Sequence, residues 1–471
     1  MFRPRRVLCL LTIVLAVSGC DAGPGQPLTP SKSAAGPPAP VKSAEVKKEA
    51  GPGAARVPGT VSRPEIDPKA QLAAVREAPK AEGSTSLDYL WQPAAKDQTI
   101  ASEPLAVNVP AGFPPLAAFV PRGNPMTKAK WELGRQLYFD PRISLDSTVS
   151  CATCHDPAKG WTDQDSVATG IDGQQGTRSA PTVLNTVYAK SLFWDGRAPS
   201  LEAQSQGPPL NPIEMGKQTN KDIVERLRAI SGYQEQFRAV FGTEVTTDGI
   251  AKAIATFERT ALSGDSAYDK YVGGDLAALN ESQKRGMVLF GLRSSPSDPF
   301  QAPGVTLKKA NCTSCHVGIN FTDDKFHNLG VGYDSEKHTF ADLGRWAVTP
   351  IGAKDDADRG AFKTPTLRDL VKTAPYMHDG SEKTLLEVMK YYNRGGNENE
   401  ALDPEMKPLN LTDSEMADVI AFMEALTGVE RKVELPQLPK GPDGTAPGPR
   451  GALTAPARKS ADREVHAILM R

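Results

Sequence analysis

Apolar residues recur at helical spacing along the middle of this chain. In 128–139, Trp131, Leu133, Leu137 and Tyr138 follow that period. The same pattern predicts helices over 220–241, 248–262, 282–290, 384–392 and 412–426. Thr412 with Glu415 three residues on reads as an N-cap. Gly395-Gly396 and Gly428 read as stops. Long loops separate these stretches. The pattern predicts a mainly α fold.

The ends read differently. From Asp21 to about Thr99, Pro, Ala, Gly, Lys and Ser dominate. Such a segment cannot bury enough apolar surface to offset its ordering entropy. It is expected to be a disordered tether, with a coil length of about 50 Å. From Glu434 on, Pro and Gly again dominate, and a loose tail is expected. The division is therefore 1–19 leader, 20–109 tether, 110–274 first domain, 275–432 second domain and 433–471 tail. The domain boundary is placed near Gly274.

The leader has Arg3, Arg5 and Arg6, then a short apolar run from Val7 to Val17. That run is too short to span a bilayer comfortably. Val17-Ser18-Gly19-Cys20 resembles a lipoprotein cleavage site, which makes Cys20 the candidate lipidated residue. The chain is expected on the periplasmic side of a bacterial membrane, anchored rather than spanning. The competing reading is an ordinary secretory signal with a chance cysteine. Formal net charge is −1 over 471 residues. Without residues 1–19, which hold three Arg and no acid, it is −1 − 3 = −4. No basic stripe or recognition motif is present, so nucleic acid is not an expected partner.

Six cysteines complete the chemistry. Cys9 and Cys20 lie in the leader. The others form Cys151-Ala-Thr-Cys154-His155 and Cys312-Thr-Ser-Cys315-His316. Each pentapeptide is the attachment signature of a c-type haem. Two thiols bond the porphyrin, and the adjacent His155 or His316 ligates the iron. Structural zinc is the alternative, but paired zinc knuckles usually lie about 15–20 residues apart. A thioredoxin-like pair lacks a βαβ context.

Further blocks accompany these motifs. They include Gly170-Ile-Asp-Gly-Gln-Gln-Gly176, Phe193-Trp-Asp-Gly-Arg197, Asn211-Pro-Ile-Glu-Met-Gly216, Phe362-Lys-Thr-Pro-Thr-Leu-Arg368 and Ala374-Pro-Tyr-Met-His-Asp-Gly380. Together they resemble the bacterial di-haem cytochrome c peroxidase and MauG superfamily over roughly 125–430. The resemblance implies two cytochrome-c-like domains, each with one covalent haem. Hydrogen peroxide would react at the first haem, and the second would exchange electrons with a partner.

By the same resemblance, Glu214, Gln204 and Pro208 form the peroxide pocket, with Glu214 the acid–base group. Trp194 bridges the haems. Ser179, Thr364 and Thr366 mark a calcium position, with Ser179 in place of an expected Asn. Ile171 stands where ordinary peroxidases of the family keep a distal His. No His lies between His155 and His316, and Met215 and Met287 are the Met residues of that interval. An open first iron is expected unless His327 or Met377 folds over it. At the second haem, Tyr392 aligns with the sixth ligand of the MauG branch, and Met389, one turn earlier, is its rival. Tyr391 should point elsewhere. Tyr271 aligns with a surface residue that passes charge to a protein substrate in MauG.

The expected protein is thus a MauG-like di-haem peroxidase that oxidises an external, conceivably protein, donor. The alternative is an ordinary detoxifying peroxidase supplied by a small cytochrome c or cupredoxin. A non-catalytic electron carrier is the third reading. The family also suggests a homodimer.

Overall fold

The chain was analysed as a computed structural model, which describes residues 103–429 and 431–449. The helices are α1 (Lys128–Phe139), α2 (Cys151–Cys154), α3 (Leu201–Gln204), α4 (Asn220–Arg228), α5 (Ser231–Phe241), α6 (Thr247–Glu258), α7 (Ala267–Val272), α8 (Glu281–Phe290), α9 (Arg345–Val348), α10 (Leu385–Asn393) and α11 (Asp413–Glu424). Four short strands make two antiparallel pairs among the described residues: β1 (Phe326–Asn328) with β4 (Ala361–Lys363), and β2 (Tyr333–Asp334) with β3 (Thr339–Phe340). Short 3-10 turns and loops supply the rest.

Two helix pairs organise the body. α1 starts where Thr127 Oγ1 accepts the Lys130 N–H and buries Leu133, Leu137, Tyr138 and Phe139. It packs on α6. α8 is capped by Asn280, buries Met287, Val288, Leu289 and Phe290, and packs on α11. The same device closes both pairs. A Cβ on Gly134 would lie 1.9 Å from the Ala253 carbonyl oxygen, and one on Gly286 would lie 1.8 Å from that of Asp418. Phe257 flanks the first crossing and Phe422 the second. Each pair carries its own apolar cluster, so the two halves are repeats of one unit.

Two expectations need correction. The helix foreseen over 220–241 breaks at Ile230, whose backbone is extended, and becomes α4 and α5. Just before the boundary expected near Gly274, α7 packs on the second half. Ala267, Tyr268 and Tyr271 pack in the second cluster, with Tyr268 against Phe321 and Phe422. The folded body is also longer than 110–432. Val107 and Val109 join a cluster with Phe113 and Leu262. Past 433, Leu438 is buried, and the Glu434 and Pro439 carbonyls accept Arg135 and Arg142. The leader with Cys20, and most of the tether and the last residues of the tail, lie outside the described residues.

Glycine in a helix interior ordinarily costs about 0.5–1 kcal/mol against alanine. Here the sign reverses. Gly134→Ala and Gly286→Ala each push a methyl into a facing backbone and should destabilise by about 1–3 kcal/mol. Guanidinium unfolding of the haem-loaded protein checks this; an unchanged midpoint would mean the helices can part freely.

Candidate functional site

α2 is a single turn. Thr153 Oγ1 accepts the Ser150 N–H at 3.0 Å, and the turn ends at His155, whose N–H donates to Cys151 O at 3.0 Å. His155 Nδ1 donates to the Trp161 carbonyl at 3.3 Å, and Tyr138 Oη donates to the His155 carbonyl at 2.8 Å. The second motif repeats this. His316 N–H donates to Cys312 O at 2.9 Å, and His316 Nδ1 donates to Phe321 O at 2.9 Å. Trp161 and Phe321 both hold a left-handed backbone, at φ 63° and 51°, which bulky residues rarely adopt. Burial lowers both imidazoles' proton affinity. Each ring is tied at Nδ1 and also faces a second backbone carbonyl, that of Pro181 or Pro365; a neutral imidazole held at Nδ1 presents Nε2 to a metal.

One cavity of about 1010 Å³ runs from His155 to His316. Cys151 and Cys154 line one end, and Cys312 and Cys315 the other. Burial pushes the Cys154 and Cys312 thiols up to about 12, and Cys151 moves in the same direction. Among the described residues, no cluster of three or more His, Cys, Asp or Glu could hold a bare metal ion. Two thiol pairs, two tethered imidazoles and a shared cavity fit two porphyrin-held irons, not zinc knuckles.

Gln204, Pro208 and Glu214 all line the first end. Asn211 Nδ2 donates to Glu214 Oε1 at 2.6 Å. Burial raises the Glu214 pKa, while the Arg197 charge and the Asn211 hydrogen bond oppose. Arg197 lies over the Phe193 ring at 3.5 Å and bonds Asp195. Ile171 is buried, and its N–H donates to the Glu214 carbonyl at 3.0 Å. Its methyl lies against Gly216, and this side chain carries no donor atom for iron. Met287 packs in the second apolar cluster. Met215 lines the cavity but belongs to the first cluster. His327 is held by Asp323 at 3.0 Å and Asp403 at 2.6 Å. Asp323 first, with Asp403 and against burial, raises its pKa above the ordinary imidazole value. It sits beside the second motif, not over the first. Met377 lines the shared cavity.

Trp194 lines the shared cavity. Its Nε1 donates to the Ser179 carbonyl at 2.9 Å, and its carbonyl accepts the Lys363 N–H of β4 at 2.7 Å. Beside it, Arg178 joins the domains. It pairs with Asp342 through Nε at 2.6 Å and Nη2 at 2.9 Å, and with Asp195 through Nη1 at 2.6 Å. This cluster escaped sequence reasoning, as did His378. His378 stacks on Phe362 with centroids 3.6 Å apart, and burial lowers it to about 4. The internal repeat was the missed signal. Phe193-Trp194-Asp-Gly and Met377-His378-Asp-Gly share a positive φ at their first residue and an isolated bridge around the turn. His378 is thus the counterpart of Trp194.

The same register compares the sixth-ligand positions. Ser200-Leu201 caps and opens α3 as Thr384-Leu385 does α10. Eight residues on from each cap stand Pro208 in the first repeat, past the end of α3 at Gln204, and Tyr392 in the second, still within α10. Tyr392 and Met389 both line the cavity. Burial first, then Cys315 and Cys312, raise the Tyr392 phenol well above its ordinary value. Tyr391 donates its hydroxyl to Leu329 O at 2.8 Å and does point elsewhere. Tyr271 is only 2 % exposed and donates to Asp298 at 2.8 Å, so it is not the surface residue foreseen. Ser179, Thr364 and Thr366 line the cavity near Trp194. The Thr364 carbonyl accepts Thr322 Oγ1 at 2.7 Å.

Comparison with known proteins gives one family. The di-haem cytochrome c peroxidase pattern matches residues 128–277, and the cytochrome c pattern matches 301–427. The methylamine utilization protein MauG of Methylorubrum extorquens is 40 % identical over 321 residues, covering 68 % of this chain and 84 % of that protein. The cytochrome c551 peroxidase of Pseudomonas aeruginosa is 33 % identical, covering 69 % and 86 %. A crystal structure of a MauG-like protein associated with microbial copper homeostasis superposes with a TM-score of 0.58 at 33 % identity, covering 66 % of this chain and 92 % of that one.

Removing Arg178 leaves Asp342 without its bidentate partner and buried Asp195 with Arg197 alone. Arg178→Ala should cost about 3 kcal/mol. Denaturant unfolding of the haem-loaded protein measures it; a loss within error would show that water replaces the guanidinium.

Proposed function

This chain belongs to the di-haem cytochrome c peroxidase family, and from that premise we propose a MauG-like peroxidase with an open first haem and a tyrosine-ligated second one. The peroxidase class and two c-type haems follow from the family itself. The finer reading rests on one observation: Pro208 and Tyr392 stand at the same eight-residue offset from the matching caps Ser200 and Thr384. Proline brings no donor atom to the first iron. A phenolate at the second is a hard anionic ligand, which lowers reduction potential where a thioether raises it.

When bound, the haems supply the electrons that convert hydrogen peroxide and two protons to two waters. The chain's residues manage the protons. Glu214 takes a proton from one peroxide oxygen and returns it to the departing one. Burial raises its proton affinity, against the Arg197 charge and the Asn211 hydrogen bond. Gln204 and Pro208 shape the space beside it. Trp194 is positioned to relay electrons between the two ends. The donor is external, either a protein side chain or a small redox protein. An ordinary peroxidase supplied by a cytochrome c or cupredoxin is the alternative, and it differs in needing prior reduction.

Cys20 is proposed as a lipid anchor on the periplasmic side. No helix among the described residues is long and apolar enough to cross a membrane. Ser179, Thr364 and Thr366 are proposed for calcium. Their oxygens are hard donors of the right type, but none is a carboxylate, so the ion should be lost readily to a chelator.

Stoichiometric hydrogen peroxide added to the fully ferric protein should change its spectrum at once. No change before reduction would refute the open site. Glu214→Gln should slow this reaction about 10²–10⁴-fold. Tyr392→Phe should alter the optical and magnetic spectra of the second haem alone, and Tyr391→Phe should leave them as they are. Equal spectra for wild type and Tyr392→Phe would remove Tyr392 as ligand.

A further inference from the structure

α6 ends on two charged residues that the reaction above does not use. Glu258 is 5 % exposed and Arg259 2 %. Glu258 lines the haem cavity. Its Oε2 has no hydrogen-bond partner, and neither do Arg259 Nε and Nη1. Arg259 Nη2 donates instead to Glu202 at 2.6 Å.

Few groups face this carboxyl. They are Tyr138 from α1, Cys151 from α2, Glu202 from α3 and Arg259 beside it. The Tyr138 hydroxyl is committed to the His155 carbonyl. Cys151 carries no charge once it is a thioether. Lys130 Nζ donates to Asn124 Oδ1, and Asn124 donates to Glu202. A buried carboxylate this poorly paired favours its neutral form. Burial first, with Glu202 repulsion and against the pull of Arg259, pushes Glu258 up to about 8.

The repeat supplies an internal control. Phe257 packs on Gly134 as Phe422 packs on Gly286. The next residue is Glu258 in the first repeat and Met423 in the second. Met423 is equally buried and lines the same cavity. An ionisable group stands at this place beside one haem only.

We infer that Glu258 takes up one proton from solvent when the haem attached at Cys151 and Cys154 gains one electron, and releases that proton on reoxidation. The electron would come from an external one-electron donor and rest on the iron, and the proton would come from water and form one O–H bond on the carboxylate, with no other bond changed. The physical cause is charge compensation: an added electron makes a nearby buried anion less favourable. This inference needs the haem at that site. It does not depend on the peroxide reading or on the donor.

The test is a spectroelectrochemical titration of the haem-loaded full chain on both sides of pH 8. The His155 haem potential should fall as pH rises, approaching one proton per electron. The His316 haem should lack this slope. Glu258→Gln should flatten the slope, match wild type at acid pH, and lie above it at alkaline pH. Glu258→Asp should restore the slope. Glu258→Met, which copies the second repeat, serves as an independent variant should the Gln form load haem poorly. A His155-haem slope that survives in the Gln and Met variants overturns the inference.

Discussion

A histidine that presents one ring nitrogen to iron must be held by the other. In this protein a main-chain carbonyl does the holding, twice. Trp161 and Phe321 each turn into a left-handed conformation to aim that carbonyl at Nδ1. The surrounding aromatic packing keeps them there. Trp161 lies against Tyr138 and Phe257, and Phe321 against Tyr268, Phe290 and Phe422. All of those rings except Tyr268, on α7, come from the helix pairs that cross at Gly134 and Gly286. The close crossing, the aromatic wedge and the imidazole orientation therefore form one dependency. Loosening the first reaches the last.

The repeat makes its departures informative. Where two halves share a backbone, a changed side chain reports a changed task. Pro208 faces Tyr392, Trp194 faces His378 and Glu258 faces Met423 across this comparison. Each change falls on a residue lining the common cavity. The first repeat carries a proline, an indole and a carboxyl where the second carries a phenol, an imidazole and a thioether.

Much of this was legible beforehand. The haem motifs carry their own spacing, and α1, α8, α10 and α11 follow the apolar period with clear caps. What could not be read is long-range. Ile230 breaks a periodic stretch without proline or glycine before it. α7 looks like the end of the first domain, yet its aromatic residues belong to the second core. The Pro-rich residues past 433 look loose, but Arg135 and Arg142 capture their carbonyls. Arg178, Asp195 and Asp342 are far apart in sequence, and only the folded chain joins them. Tyr271 shows how a resemblance can place a residue in alignment and still misplace it at the surface.

The hydrogen bonds of Trp194 and Tyr271 differ in kind. The indole N–H of Trp194 faces a peptide carbonyl, which is too weak a base to keep a proton. The phenol of Tyr271 faces a carboxylate, which can. An electron removed from the indole would leave it protonated and ready to be refilled. An electron removed from the phenol would drag its proton away and stall as a neutral radical. The choice of acceptor atom thus separates a residue built for passing charge from one that would store it.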